Sequence, residues 1–302
     1  MFPDFHEGLQ IEQFSGVLLG SLDQYDPNQP MRTWQLASGH SSVPVVFASD
    51  DRLQDLLSQP LAAYQFRLMD WVGRTANPFK IPAVVVEAEW IRGVSALAYL
   101  PMDLCPVGGV LPETMALIDE IQADPLRQFV RRVFEQRDVC AHYWTMPASA
   151  RHHHAHPGGL AEHSLEVAED IATQSQLTPI ERDLGIAGGL LHDIGKVWAC
   201  TADMFPNAGG RAMGHELIGL SRMERHLQTL ESHWPDGAYA MRVLLSGCSR
   251  PRPDGSMPSA LVTRIRACDQ RSCERDQGQA GRKNRSWTPE PWLPPAEQTP
   301  PD

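Results

Sequence analysis

The chain has 302 residues, 42% of them apolar, which is enough for two domains of ordinary size with substantial cores. It contains no run of about 18 apolar residues that could cross a membrane, and residues 1–10 lack the basic and apolar blocks of a secretory signal. The formal net charge of −11 argues against nonspecific coating of nucleic acid, but it does not exclude an enzyme that holds one phosphate through a metal.

The first third of the chain has the pattern of a small β-rich domain. The β-prone segments are 14–22, 32–36, 43–47, 64–72 and 81–90, with a helical segment at 51–61. Asp26, Pro27 and Asn28 mark a turn after the first strand. Three strands, a helix and two strands is the order of an OB-fold, a barrel often used to hold single strands. We therefore predict an OB-like domain over residues 1–100, with another small β-rich domain as the alternative.

The pattern becomes helical after a loop rich in Pro and Gly at residues 101–112. Apolar residues then recur at i, i+3, i+4, i+7 and i+8, which is typical of a buried helix face: Leu126, Phe129, Val130, Val133 and Phe134. Similar patterns predict an all-α domain over residues 112–276, and thus an α+β fold class for the chain. Residues 277–302 are polar and rich in Pro, which predicts a disordered tail.

The first candidate ligand is His163. It shares a helical face with Leu160 and Val167, in a helix predicted to begin near Gly159, so its side chain points inward. An inward histidine is either satisfied by a backbone group or bound to a ligand, and taken alone it is more often the former.

A second group lies at the end of the next predicted helix, in the sequence Leu-Leu-His-Asp-Ile-Gly-Lys. At a helix end, His192 and Asp193 can both turn towards one centre. An imidazole nitrogen and a carboxylate oxygen suit Mn²⁺, Fe²⁺ or Mg²⁺. Gly195 would relax the chain after these residues, and Lys196 would place a cation where a phosphate could sit.

A third candidate, Asp269, lies on the buried helical face defined by Val262 and Ile265. A buried carboxylate needs a partner, because desolvation of an unpaired charge is costly. A metal would serve, and a salt bridge to an arginine is the alternative.

His163, the His192–Asp193 pair and Asp269 match, in order and type, the four ligands of the HD superfamily of metal-dependent phosphohydrolases. The sequence from Met146 through the HHHAHPGGLAEHSLEVA and GGLLHDIGKV segments resembles two groups in particular. One is the bacterial 3′→5′ exoribonucleases that join an OB-fold to an HD domain. The other is the HD-fold relaxases of conjugative elements, the MobH class that includes TraI-like proteins. The resemblance covers roughly residues 112–275, and the N-terminal domain more loosely.

The resemblance implies further site residues. His215, in a Gly-His pair after the HDIGK segment, corresponds to a ligand for a second metal, and His153 and His154 could bind metal or the scissile phosphate. The exonuclease group usually has a His-His-Gly sequence before the final Asp, where this chain has Gly247-Cys248-Ser249. We therefore expect one metal site with a full ligand set, and a second site that lacks these histidines.

The implied activity is metal-dependent phosphodiester hydrolysis of single-stranded nucleic acid, like that of a 3′→5′ exonuclease. Asp193 is the candidate for orienting the attacking water, and Lys196 with His153 or His154 would neutralise charge on the phosphate. The alternatives are a relaxase-like DNA-processing protein, a binding module with a degenerate site, and a nucleotide hydrolase.

The expected partner is single-stranded RNA or DNA, and no membrane. Residues 1–110 hold 12 acidic and 6 basic side chains, which is not the basic surface expected of a strand-binding barrel. The six cysteines are scattered without a CxxC pair, as expected for free thiols in a cytoplasmic protein.

Overall fold

Five strands close into a barrel in the computed structural model, which describes residues 9–21, 33–47, 50–71, 82–247 and 260–283. The barrel elements are β1 (Leu9–Ser21), β2 (Trp34–Ser38), β3 (Ser41–Phe47), α1 (Asp50–Ser58), β4 (Tyr64–Trp71) and β5 (Ala83–Trp90).

The strand order is β1-β2-β3-β5-β4, and β1 pairs with β4 to close the barrel. The β3–β5 pair is parallel and the other pairs are antiparallel. Apolar side chains from alternating strand positions fill the interior: Leu18, Leu36, Val45, Phe66 and Leu68. The predicted OB-like β-rich domain is confirmed, although β1 begins earlier than expected. The turn predicted at residues 26–28 lies outside the described residues.

The rest of the described chain is helical, as predicted. Its helices are α2 (Val110–Asp119), α3 (Asp124–Phe134), α4 (Arg137–His142), α5 (Gly159–Ala172), α6 (Pro179–Leu191), α7 (Lys196–Ala199), α8 (Ala208–His233), α9 (Pro235–Leu245) and α10 (Ala260–Lys283). Helix α10 runs past residue 276, and the remainder of the predicted tail lies outside the described residues. None of the described helices combines the length and apolar character needed to cross a bilayer.

An aromatic cluster supports the end of α6, where the predicted ligands lie. The ring of Tyr143 packs against Phe134 and Trp144 at centroid distances of 5.0 and 5.1 Å. Its hydroxyl donates a hydrogen bond to the carbonyl of Leu190, at 3.2 Å. Because all four side chains are buried, the last turn of α6 is fixed just before His192.

Arg137, at the start of α4, ties the helical domain to the barrel. Its guanidinium donates to the backbone carbonyls of Leu18, Leu56 and Gln59 at 3.0, 2.6 and 2.7 Å. Three bonds from a planar fork hold β1 and the end of α1 against the helices. The two domains therefore have a defined relative position.

Candidate metal centre

The four predicted ligands converge on one point. His163 lies in α5, His192 and Asp193 directly follow α6, and Asp269 lies in α10. His163 Nε2 is 3.2 Å from Asp269 Oδ1 and 3.8 Å from Asp193 Oδ2. His192 Nε2 is 3.5 Å from Asp193 Oδ2. Ligand atoms of His163, His192 and Asp269 all lie within 4.8 Å of one another.

The local sequence places His192 at a helix end. Helix α6 begins with a capping box between Thr178 and Glu181, and His192 is its C-terminal cap. The His192 Nδ1 atom lies 2.8 Å from the carbonyl of Gly189, so Nδ1 carries the proton and donates it. The hydrogen-bond network thus leaves Nε2 of His192 with a free lone pair directed at the centre.

A relay of hydrogen bonds assigns the same tautomer to His163. Ser272 Oγ donates to Glu166 Oε2 at 2.6 Å, so the single hydroxyl proton of Ser272 is already used in this hydrogen bond. Ser272 must then accept from His163 Nδ1, which lies 2.9 Å away. Such a relay fixes the ring and leaves Nε2 of His163, which is fully buried, as the ligand atom.

These residues fit a divalent cation. The Nε2 atoms of His163 and His192 are buried and have no hydrogen-bond donor among the described residues. They face carboxylate oxygens, which also only accept, and buried acceptors that face one another need a cation between them. Metal–nitrogen bonds of about 2.0–2.1 Å place neighbouring ligand atoms about 3 Å apart, close to the separations seen here. The mixed nitrogen and oxygen set suits Mn²⁺, Fe²⁺ or Mg²⁺.

Asp193 is the charged hub of the centre. Its Oδ1 lies 2.9 Å from His215 Nε2, and its Oδ2 accepts from Lys196 Nζ. Burial alone would raise the pKa of Asp193, but Lys196, His192 and His215 hold it well below its usual range. Lys196 also donates to the carbonyl of Ala148 at 2.9 Å. The structure therefore places Lys196 where it stabilises the Asp193 carboxylate.

Gly195 has a different role from the one predicted. Its backbone is ordinary right-handed helix, with φ −60° and ψ −20°, so the prediction that it relaxes the chain is wrong. A Cβ atom at this position would lie 1.9 Å from the carbonyl oxygen of His215. The missing side chain lets α7 approach α8, where Gly214 bends the helix at φ +79°. This close approach brings His215 to Asp193.

The two candidate loop histidines lie in different places. His153 lines a cavity of about 370 Å³ at the centre, with its ring 5.2 Å from that of His163. Burial, together with His163 and Lys196, lowers the pKa of His153 to about 4, so it is neutral. His154 has φ +46° and is 2% exposed. Its Nε2 faces Glu166 at 3.5 Å, behind His163 and away from the cavity.

The structure adds residues that the sequence reasoning missed. Cys273 Sγ lies 3.6 Å from Asp269 Oδ1, and Cys273 forms a second group with His153 and His163 that could hold a metal. Burial and Asp269 raise the pKa of the Cys273 thiol to about 12. Helical spacing could have indicated Cys273, because it lies four residues after Asp269 on the same face. Cys248, which replaces an expected histidine, lies outside the described residues.

Comparisons with known proteins find one family and several distant relatives. The sequence model of the HD domain family matches residues 160–232, which include every predicted metal ligand except Asp269. The 3′-5′ exoribonuclease YhaM of Listeria innocua is 26% identical over 165 residues, 53% of this chain and 51% of the relative. The Listeria welshimeri relative of that name is 31% identical over the same shares. That of Bacillus subtilis is 29% identical over 58% of this chain and 55% of the relative.

The chain spans about half the length of the curated relatives that it matches. No solved structure matches it significantly.

Proposed function

We propose that this chain, an HD domain protein distantly related to the YhaM 3′-5′ exoribonucleases, is a divalent-metal-dependent phosphodiesterase that shortens single-stranded nucleic acid from its 3′ end. The observation that carries the proposal is that the buried, unpartnered Nε2 atoms of His163 and His192 lie beside the carboxylates of Asp193 and Asp269. The names of the relatives support a nucleic acid as the substrate.

The residues of the centre can divide the chemistry among them. A divalent cation bound there would polarise a phosphoryl oxygen and lower the pKa of a water molecule. Asp193 remains anionic, so it can orient the attacking water. Lys196 keeps its charge because the effect of Asp193 on its pKa outweighs burial. His153 is neutral and borders the cavity, where it can hydrogen-bond a phosphate oxygen.

The cavity at the centre suits the end of a strand. Its volume of about 370 Å³ lies near the lower end of the range for small-ligand sites. Leu244, Leu245 and Ile265 contribute apolar surface to the lining of the cavity. A base can pack on this surface while its phosphate faces the metal ligands.

Two of the alternatives lose support. The reported relatives are all named as exoribonucleases, so they lend nothing to a relaxase-like role. A degenerate binding module would be expected to have lost ligands, yet the four-residue set converges.

The test is degradation of a single-stranded RNA or DNA labelled at its 5′ end, in the presence of Mn²⁺. We expect a ladder of products shortened from the 3′ end, which EDTA abolishes. Asp193→Asn should lower the rate by about 10²- to 10⁴-fold, because it removes the charged group that orients the water and helps to hold the metal. Asp203→Asn, at an exposed loop position away from the ligands, is the matched control and should keep the full rate.

Asp193→Asn leaves Lys196 without its buried partner, so loss of activity could reflect poor folding. Asp269→Asn, whose side chain is 40% exposed, changes a ligand at smaller structural cost. Both variants should show the far-ultraviolet circular dichroism of the parent protein. Full activity in either folded variant would contradict the site assignment, and metal-loaded protein that leaves both strand types intact would contradict the function.

A further inference from the structure

A second, larger concavity lies between the barrel and the helical domain. We call it the interdomain groove; its volume is about 840 Å³, against about 370 Å³ at the metal centre. The barrel wall comprises residues 57–62 and the end of β5, and the opposite wall is formed by α3 and α8. None of the predicted site residues lines it.

The helical wall of the groove carries three arginines, Arg132, Arg222 and Arg225, all exposed. Within the described part of the chain, none of these three guanidinium groups has a hydrogen bond or an ion pair within 4 Å. Arg131, one residue away on α3, instead pairs with Asp119 at 2.7 Å. Burial together with Arg225 and Arg132 lowers the pKa of the neighbouring His226. Positive charge is therefore concentrated here in a chain whose net charge is −11.

The acidic side chains in the groove are already occupied by protein donors. Glu135 accepts from Ser95 Oγ at 2.7 Å and from the Ala96 backbone N–H at 3.0 Å. Asp138 accepts from the indole N–H of Trp198. Four arginines line the groove against these two carboxylates, so the net charge of its lining is positive.

The barrel wall contributes an aromatic surface. Trp90, the last residue of β5, is 57% exposed, and the guanidinium of Arg92 lies 5.7 Å from its ring centroid. An exposed indole beside arginines is the combination that single-strand sites use, because bases stack on the ring while cations contact phosphates.

Helix α8 connects the groove to the metal centre. His215, Arg222 and His226 lie at i, i+7 and i+11, on one face of the helix. At 1.5 Å per residue, the two groove residues lie roughly 10–16 Å along the axis from His215. Helix α7 borders both places, because Lys196 contacts Asp193 and Trp198 contacts Asp138. A strand of a few nucleotides can span this distance.

We propose that the interdomain groove binds the part of a single-stranded nucleic acid that lies on the 5′ side of the end held at the metal centre. Arg132, Arg222 and Arg225 contact its phosphates, and Trp90 stacks on a base. This inference rests on the proposed function. It also explains how an acidic barrel takes part in strand binding, since the helical domain supplies the cations and the barrel supplies the stacking surface.

The test is equilibrium binding of a fluorescently labelled single strand to the full chain in EDTA, followed by anisotropy across a range of salt concentrations. The variant is Arg132→Gln/Arg222→Gln/Arg225→Gln. We expect its Kd to rise by about tenfold or more at low salt. The slope of log K against log salt should fall by about 2, since each single-strand phosphate contact contributes about 0.7.

The matched control is Arg67→Gln/Arg182→Gln/Arg242→Gln, which removes the same charge from arginines that are paired with acids elsewhere. This control should keep the parental Kd and slope. Unchanged binding in the groove variant would overturn the proposal, and so would a parent protein that binds no strand.

A separate arm tests the proposed function alone. The parent protein with Mn²⁺ is given bis(p-nitrophenyl) phosphate, a diester too small to reach the groove from the centre. If the protein cleaves neither this diester nor the strand, the proposed function fails. Binding in EDTA still decides the groove, because it requires no hydrolysis.

Discussion

Asp193 at the metal centre has Lys196 and His215 within hydrogen-bonding distance, whereas Arg132 and Arg222 in the interdomain groove have no ion-pair partner within the described residues. Burial explains the difference. A charge as buried as that of Asp193 must be paired within the fold. An exposed guanidinium is solvated by water and needs no partner from the protein. The candidate metal centre therefore has its charges paired within the fold, whereas the groove keeps charges that a ligand can pair.

The metal centre is also more tightly packed than the interdomain groove. At the centre, the backbones of α7 and α8 approach so closely that only a glycine fits at position 195. The groove leaves about 840 Å³ between its walls. Small structural changes should therefore be costly at the centre and tolerated in the groove.

Gly195→Ala should have the largest effect of the changes that leave all ligands in place. The new Cβ would lie 1.9 Å from the His215 carbonyl, a backbone atom that cannot rotate away. We expect a loss of about 1–3 kcal/mol in the free energy of unfolding from overpacking. A shift of His215 from Asp193 should lower activity by about 10²-fold. Chemical denaturation and Mn²⁺-dependent strand cleavage would measure the two effects.

Gly108→Ala is the matched control for this change. A Cβ at Gly108 would meet no atom within 4 Å, so stability and activity should stay at the parental level. If Gly195→Ala behaved like this control, the close approach of α7 to α8 would not be what holds the centre.

Ser272→Ala should have an intermediate effect, because it breaks the relay behind one ligand. Without Ser272 Oγ, His163 Nδ1 loses its acceptor and Glu166 loses a donor. Partners of this kind typically contribute 10- to 100-fold in metal affinity. We therefore expect the Kd for Mn²⁺ to rise by about that factor, measured by isothermal titration calorimetry.

Ser232→Ala, at an exposed position near the end of α8, removes a hydroxyl of the same kind far from the relay. It should leave Mn²⁺ affinity unaltered. Equal affinities for Ser272→Ala and the parent protein would show that the ring of His163 is positioned by packing alone.

Much of the candidate metal centre could be predicted from the sequence because its residues lie on helix faces and at a helix end. The spacing of His163 and Asp269 and the end of α6 before His192 are local properties. That His153 lines the cavity and His154 does not could not be predicted, since it depends on a left-handed backbone at His154. The role of Gly195 in the close approach of α7 to α8 could not be predicted either, because it depends on a contact with a helix later in the chain.

The OB-like barrel could be predicted from its order of strands and helix, but the groove beside it could not. Its arginines come from α3 and α8, and its tryptophan comes from β5. Only the tertiary fold brings these segments together. The composition argued against a strand-binding surface, because the net excess of acidic residues gives no sign of a local cluster of unpaired arginines.

Trp90→Ala should have the smallest effect, and it tests whether the groove binds bases as well as phosphates. The side chain is 57% exposed, so its removal should cost little stability. Stacking on one base contributes about 1 kcal/mol at the lower end of its range, or roughly fivefold in Kd for the strand. Since a stacking contact is not ionic, the salt slope should stay unchanged, in contrast to the arginine variant.

Tyr239→Ala, at a 61% exposed position on α9 outside the groove, is the matched control. A fall in the salt slope by about 0.7 together with the rise in Kd would instead assign Trp90 to positioning Arg92 on a phosphate, and would leave the groove with phosphate contacts only.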